Sequence, residues 1–228
     1  MNRKILSIIG IVLIGFAFYS CSSHPEKGLL ERYFNALSLD DVNTISTMAL
    51  EPVDFKFKSW KIVSISEEVI KTAELFDMNS KEQELKKKKD ESVGVTLDAK
   101  AMLDDAAFEG DNARTRAAKR AAQKKTDELQ IVYDEQYEKH QALQKEYNLA
   151  QEAANREEEI SSFSLGAEYP NIRDFTGEVA SKEVEVQVTG TDGAVNNYKI
   201  YMRNYTLLDE ANNLSHRGRW IIVKFEKT

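Results

Sequence analysis

Residues 113–160 read ARTRAAKRAAQKKTDELQIVYDEQYEKHQALQKEYNLAQEAANREEEI. Ala, Glu, Lys, Gln and Arg dominate, and these side chains lose little rotamer freedom in a helix. No proline or glycine interrupts them. The helical composition extends back to Glu67, with a turn at Gly110-Asp111-Asn112, so Glu67–Ile160 is expected to be a helical hairpin. A three-four rhythm runs through the return leg at Ala118, Ala122, Lys125, Leu129, Val132, Gln136, His140, Leu143, Tyr147, Ala150 and Ala154. It is the seam of a marginal, coiled-coil-like pair, because alanine permits close approach while Lys125, Gln136 and His140 weaken it. In the outgoing leg, Val69, Ile70, Ala73 and Phe76 make an apolar stripe at the root. Asn79–Ser92, with Lys86 to Lys89, is nearly all charged and is read as solvated. Gly94, between Val93 and Val95, costs about 1 kcal/mol in a helix and marks an expected kink. Unbroken legs would span roughly 60 to 70 Å at 1.5 Å per residue. The stretch carries 23 acidic and 16 basic residues.

The flanks change period. Leu29, Leu30, Tyr33, Phe34 and Leu37 keep helical spacing, and Asp40 is placed to cap a second helix carrying Val42, Ile45, Met48 and Ala49. Phe55–Ser66 reads as a strand with apolar residues on both parities, bulged near Ser59. Beyond the hairpin, Ser161–Arg173 reads as a connector. Val184, Val186 and Val188 alternate with Glu183, Glu185 and Gln187, the pattern of a half-buried antiparallel strand. Gly190-Thr191-Asp192-Gly193 supplies a turn. Tyr198, Ile200 and Met202 oppose Tyr201, Tyr205 and Leu207 on the next strand, Asp209–Gly218 reads as a polar hairpin loop, and Trp220–Phe225 as the last strand. The fold class is therefore α+β. A small, curved antiparallel sheet packs on N-terminal helices, and a long, coiled-coil-like hairpin is inserted after the first strand.

At the N-terminus, Arg3 and Lys4 precede an apolar run from Ile5 to Phe18, too short for a comfortable membrane span. Phe18-Tyr19-Ser20-Cys21 resembles a bacterial lipobox, and Cys21 is the chain's one cysteine. The expected division is residues 1–20 as lipoprotein signal peptide, 21–27 as tether, 28–66 plus 167–228 as the α+β domain, and 67–166 as hairpin and connector. A diacylglycerol and an acyl chain on Cys21 would anchor the protein stably. Ser22 in place of an aspartate favours the outer membrane, facing the periplasm. Loss of Arg3 and Lys4 with the signal moves the net charge from −7 to −9. That balance argues against nucleic acid as a partner.

The order helix, helix, strand, then antiparallel strands resembles the nuclear transport factor two-like, or cystatin-like, superfamily. The residues that carry the resemblance are Leu30-Glu31-Arg32-Tyr33-Phe34-Asn35-Ala36-Leu37, Asp40-Asp41-Val42, Phe57-Lys58-Ser59-Trp60-Lys61-Ile62 and Arg217-Gly218-Arg219-Trp220-Ile221-Ile222-Val223. The resemblance implies a curved sheet wrapping the helices as a cone, with the family's usual third helix and strand displaced by the hairpin. Lipid anchor plus helical hairpin is also similar to periplasmic adaptor subunits of efflux systems, although no flanking lipoyl half-motifs are visible.

No catalytic residues are assigned. His24 falls in the tether, His140 on the hairpin and His216 in a polar loop, so no histidine is placed for enclosed acid–base work. Asp174 and Glu178 lie beside the sheet, where carboxylates are usually solvated. One cysteine and dispersed histidines assign no metal site, and no glycine-rich phosphate loop implies a cofactor. Tyr33, Trp60, Tyr198 and Tyr205 are the candidate lining of a pocket for a small apolar ligand in the cone. The leading expectation is a lipid-anchored, non-enzymatic envelope protein. Its hairpin would meet an envelope protein or the cell-wall layer, and small-ligand binding is the alternative.

Overall fold

The computed structural model describes residues 24–228, so the expected signal peptide at residues 1–20 and Cys21 lie outside the described residues. The fold is α+β, with a curved antiparallel sheet, N-terminal helices packed on it, and a long coiled-coil-like hairpin. Helices α1 (Pro25–Ser38) and α2 (Val42–Ser46) come first. Strands β1 (Phe57–Ile65) and β2 (Val69–Thr72) follow, then α3 (Leu75–Asn112) and α4 (Arg116–Leu165). After a 3-10 turn at Ile172–Asp174 come β3 (Thr176–Gly190), β4 (Val195–Asp209), β5 (Leu214–Arg217) and β6 (Ile221–Lys227). The sheet runs β1-β3-β4-β5, with β2 also on β3 and β6 also on β4.

The hairpin follows β2, not β1. Val69 and Ile70 are exposed and sit on a short strand that precedes the helix, because adjacent β-branched residues favour extended backbone. Gly94 makes no break, and α3 is continuous for 38 residues. The expected loop at Asp209–Gly218 contains β5, whose Leu214–Arg217 pair with Thr206–Asp209 of β4. Ladder bonds come from the backbone, so polar Ser215, His216 and Arg217 hid that strand. Asp41, rather than Asp40, caps α2 by accepting from the Thr44 N–H. Asp40 instead has φ 54° and pairs with Lys56.

The chain divides into two compact units. The first holds the described residues up to Val69, with Ser181–Arg203 and Trp220–Thr228; the second holds Ile70–Ala180 and Asn204–Arg219. The sequence division assigned all of 167–228 to one α+β domain, whereas β3 and β4 each contribute residues to both units. Burial parity follows this split. Val184, Val186, Val188, Ile200 and Met202 are buried in the first unit, and Val179, Tyr205 and Leu207, of opposite parity, in the second.

The first unit's core sets Leu29, Leu30, Tyr33, Phe34 and Leu37 against Val184, Val186, Val188, Ile200, Met202 and Ile222. Strand β1 adds Phe57, Trp60, Ile62 and Ile65 to that core. Two register shifts, at Phe57/Ser59 and Ile62/Ser64, bring residues of both parities to one face. The two-faced reading of this strand is corrected accordingly, since Val63 is 55 % exposed. At the N-terminus of α1, the Glu26 carboxylate is fully buried against Lys182 at 3.1 Å and His24 at 2.8 Å.

Candidate functional site

The hairpin α3/α4 belongs to the second unit. Its burial recurs at spacings of three and four on both legs. Seam residues of α3 are Leu75, Glu82, Leu85, Lys89, Ser92, Thr96, Ala99, Leu103 and Ala106; those of α4 include Ala122, Thr126, Leu129, Tyr133, Gln136, His140, Leu143 and Tyr147. Thr126 and Tyr133 replace the expected Lys125 and Val132, which lie on the exposed side. Strict alternation from Ala122 requires those positions, and tyrosine's apolar ring fills one as well as valine would. The register is antiparallel, with Ser92 opposite His140 and Thr96 opposite Gln136.

Polar seam groups meet one another. Ser92 Oγ lies 2.8 Å from His140 Nδ1, and Thr96 Oγ1 donates to the Gln136 carbonyl at 3.3 Å. Lys89 lies over the Tyr147 ring and Lys100 over Tyr133. Such groups fix register while contributing less than apolar seam residues. His140, which weakened the seam on paper, therefore specifies its alignment.

The root is held by a clamp. Arg173, on the 3-10 turn, donates through Nε to Glu158 and through Nη1 to Glu82, both at 2.6 Å, and through Nη2 to Asn155. Partial burial opposes the guanidinium charge, but the Glu158 and Glu82 carboxylates outweigh it and raise its pKa. Asn79 donates to Asp174 at 3.2 Å, and buried Ser164 donates to the Arg219 carbonyl at 2.8 Å. Sequence reasoning missed this clamp because its partners are distant in the chain and look like ordinary surface charges.

Beyond the clamp, large apolar side chains face water. Phe108 is 71 % exposed, Leu97 63 % and Met102 59 %, with Ile131 at 61 % on the other leg. Scattered exposure is normal, but these lie on the two legs of one hairpin.

Tyr33, Trp60 and Tyr198 belong to the first unit and Tyr205 to the second. Buried Tyr33 accepts from the Val53 N–H at 3.0 Å and stacks near Phe225. Trp60 stacks on Phe34 with centroids 4.4 Å apart, and Tyr198 on Phe55 at 5.2 Å. Tyr205 is fully buried with its hydroxyl on Glu157. His216 belongs to β5 and stacks on Phe175 with centroids 5.3 Å apart. Among the described residues no three His, Cys, Asp or Glu groups are placed to hold a metal ion, and no helix is long and apolar enough to cross a membrane.

Scans against protein families, curated proteins and solved structures find no match for this chain.

Proposed function

We propose that this is a non-enzymatic protein of the bacterial envelope, anchored by lipid on Cys21, that uses the α3/α4 hairpin to engage an envelope protein or the cell-wall layer. The observation behind this reading is the far half of the hairpin, where Leu97, Met102, Phe108 and Ile131 are exposed on legs of 38 and 50 residues. Those legs extend about 55 and 75 Å at 1.5 Å per residue. A seam carrying Lys89, Ser92, Thr96, Gln136 and His140 contributes little stability for that length. Reach is the better account of it. The first unit keeps its proposed kinship with the nuclear transport factor two-like superfamily, supported by its order of two helices, a strand and antiparallel strands.

Photoreactive residues at Gly110 and Asn112, crosslinked in cells, test this reading. One dominant envelope protein, or peptidoglycan, is the expected capture. Removing Gly94–Glu138 with a short loop keeps the Ser92–His140 pair and the Arg173 clamp. The shortened chain is expected to fold and to lose that partner; full retention of the partner would sink the proposal.

A further inference from the structure

From Asn112 to Thr126 the chain carries Arg114, Arg116, Lys119, Arg120, Lys124 and Lys125 and no acidic residue. Lys125 is held by Glu109 at 2.9 Å, and Lys124 lies 3.7 Å from Glu128. Arg114, Arg116, Lys119 and Arg120 are exposed and, among the described residues, make no ion pair or side-chain hydrogen bond. Across residues 104–128 six acidic residues match these six cations in number, and Asp104 is engaged by Lys100. Glu109 and Glu128 are engaged by lysines, Asp127 accepts from Gln123 at 2.8 Å, and Asp105 and Asp111 stand on α3. The first turn of α4 holds no acid to offset the cations.

In the last turns of α3, six residues before Arg114, Phe108 is 71 % exposed, and its carbonyl accepts from Asn112 Nδ2 at 2.9 Å. A bare aromatic ring on the same end of the hairpin as unpaired cations suits the boundary of an anionic bilayer, where the ring leaves water and the cations meet lipid phosphates. An anionic polymer in water would satisfy the cations and leave Phe108 exposed. The ring therefore favours the bilayer.

We propose that the turn between α3 and α4 docks on an anionic phospholipid surface. Phe108 enters the headgroup–acyl boundary, and Arg114, Arg116, Lys119 and Arg120 face the phosphates. This gives Phe108 to lipid and leaves Leu97, Met102 and Ile131 for the partner proposed above, and it does not depend on what Cys21 carries.

The test places a solvatochromic amino acid at exposed Ala117 of the full chain, with a second preparation labelled at Gln141 as control. Each is reconstituted in phosphatidylcholine vesicles with and without one third phosphatidylglycerol. A blue shift at Ala117, with acrylamide quenching reduced about threefold, is expected in anionic vesicles alone and should weaken at high salt. R114E/R116E/K119E/R120E should abolish the shift, and F108A should reduce it. The new glutamates lie at a helix N-terminus, where negative charge is favourable, so the variant keeps its helix, as circular dichroism checks. Equal emission in both vesicles, a shift that survives charge reversal, or an equal shift at Gln141 overturns the proposal. So would displacement by polyphosphate with F108A behaving as the parent, which would assign the cations to a soluble anion.

Discussion

Tyr205 donates its phenolic O–H to Glu157 Oε1 at 2.6 Å, and the two side chains are 0 % and 8 % exposed. One comes from the last third of β4 and the other from the last third of α4. A charge-assisted bond in so dry a place fastens the root of α4 to the sheet strand of its own unit. Tyr205→Phe keeps the ring and removes the donor, leaving the carboxylate poorly solvated. It should destabilise the protein by about 2 kcal/mol in urea unfolding.

The contact between β4 and α4 was not legible in the sequence, because nothing in the spacing of Tyr205 and Glu157 couples them. What was legible followed from period. The alternation of Val184, Val186 and Val188 gave the core strand, and the helical run from Leu29 to Leu37 gave the helix that covers it. Reading failed where backbone geometry overrides period. Two bulges in β1 return Trp60 and Ile65 to one face, and the change of unit within β4 reverses which parity is buried. In the hairpin, choosing Val132 over Tyr133 slipped the seam by one residue, since hydropathy ranks valine above a tyrosine whose ring packs equally well.

Glu26 couples stability to pH. Burial alone would raise its carboxyl, but hydrogen bonds from its backbone, His24 and Lys182 outweigh that and hold its pKa below the ordinary value. A folded-state pKa below the unfolded one means that ionised Glu26 stabilises the fold above the unfolded value. That contribution disappears as pH falls through the lower, folded value. Glu26→Gln should therefore lose about 2 kcal/mol at neutral pH, because Lys182 loses its buried partner and keeps the more exposed Glu68 and the Trp220 ring. It should also show a shallower loss of stability than the parent across the acidic range, measured by urea unfolding at a series of pH values.

Gly177 in β3 has φ 141°, a conformation that side chains rarely adopt. A β-carbon there would run into the Thr206 carbonyl oxygen and come within 2.9 Å of Leu207 Cα, both backbone atoms of β4. Backbone in a ladder cannot swing aside as a side chain can. Gly177→Ala should cost about 3 kcal/mol or more and lower the yield of folded protein. Thermal unfolding of the purified variant measures the loss, and an unchanged midpoint would contradict the close approach.

Gly94 gives the opposite expectation. It lies inside continuous α3, and a methyl group added there would meet no atom within 4 Å. Glycine in an exposed helix interior costs about 1 kcal/mol relative to alanine, through the freedom it retains in the unfolded chain. Gly94→Ala should raise stability by about that amount, and most of the gain should appear locally. Amide exchange near the Ser92–His140 and Thr96–Gln136 bonds should slow by about fivefold, since 1 kcal/mol shifts an opening equilibrium by that factor. Amides of β3 at Val184–Val188 belong to the other unit and should keep their rates. Were α3 kinked at Gly94 in solution, alanine would have to straighten it at a cost, and exchange around Ser92 would hasten instead.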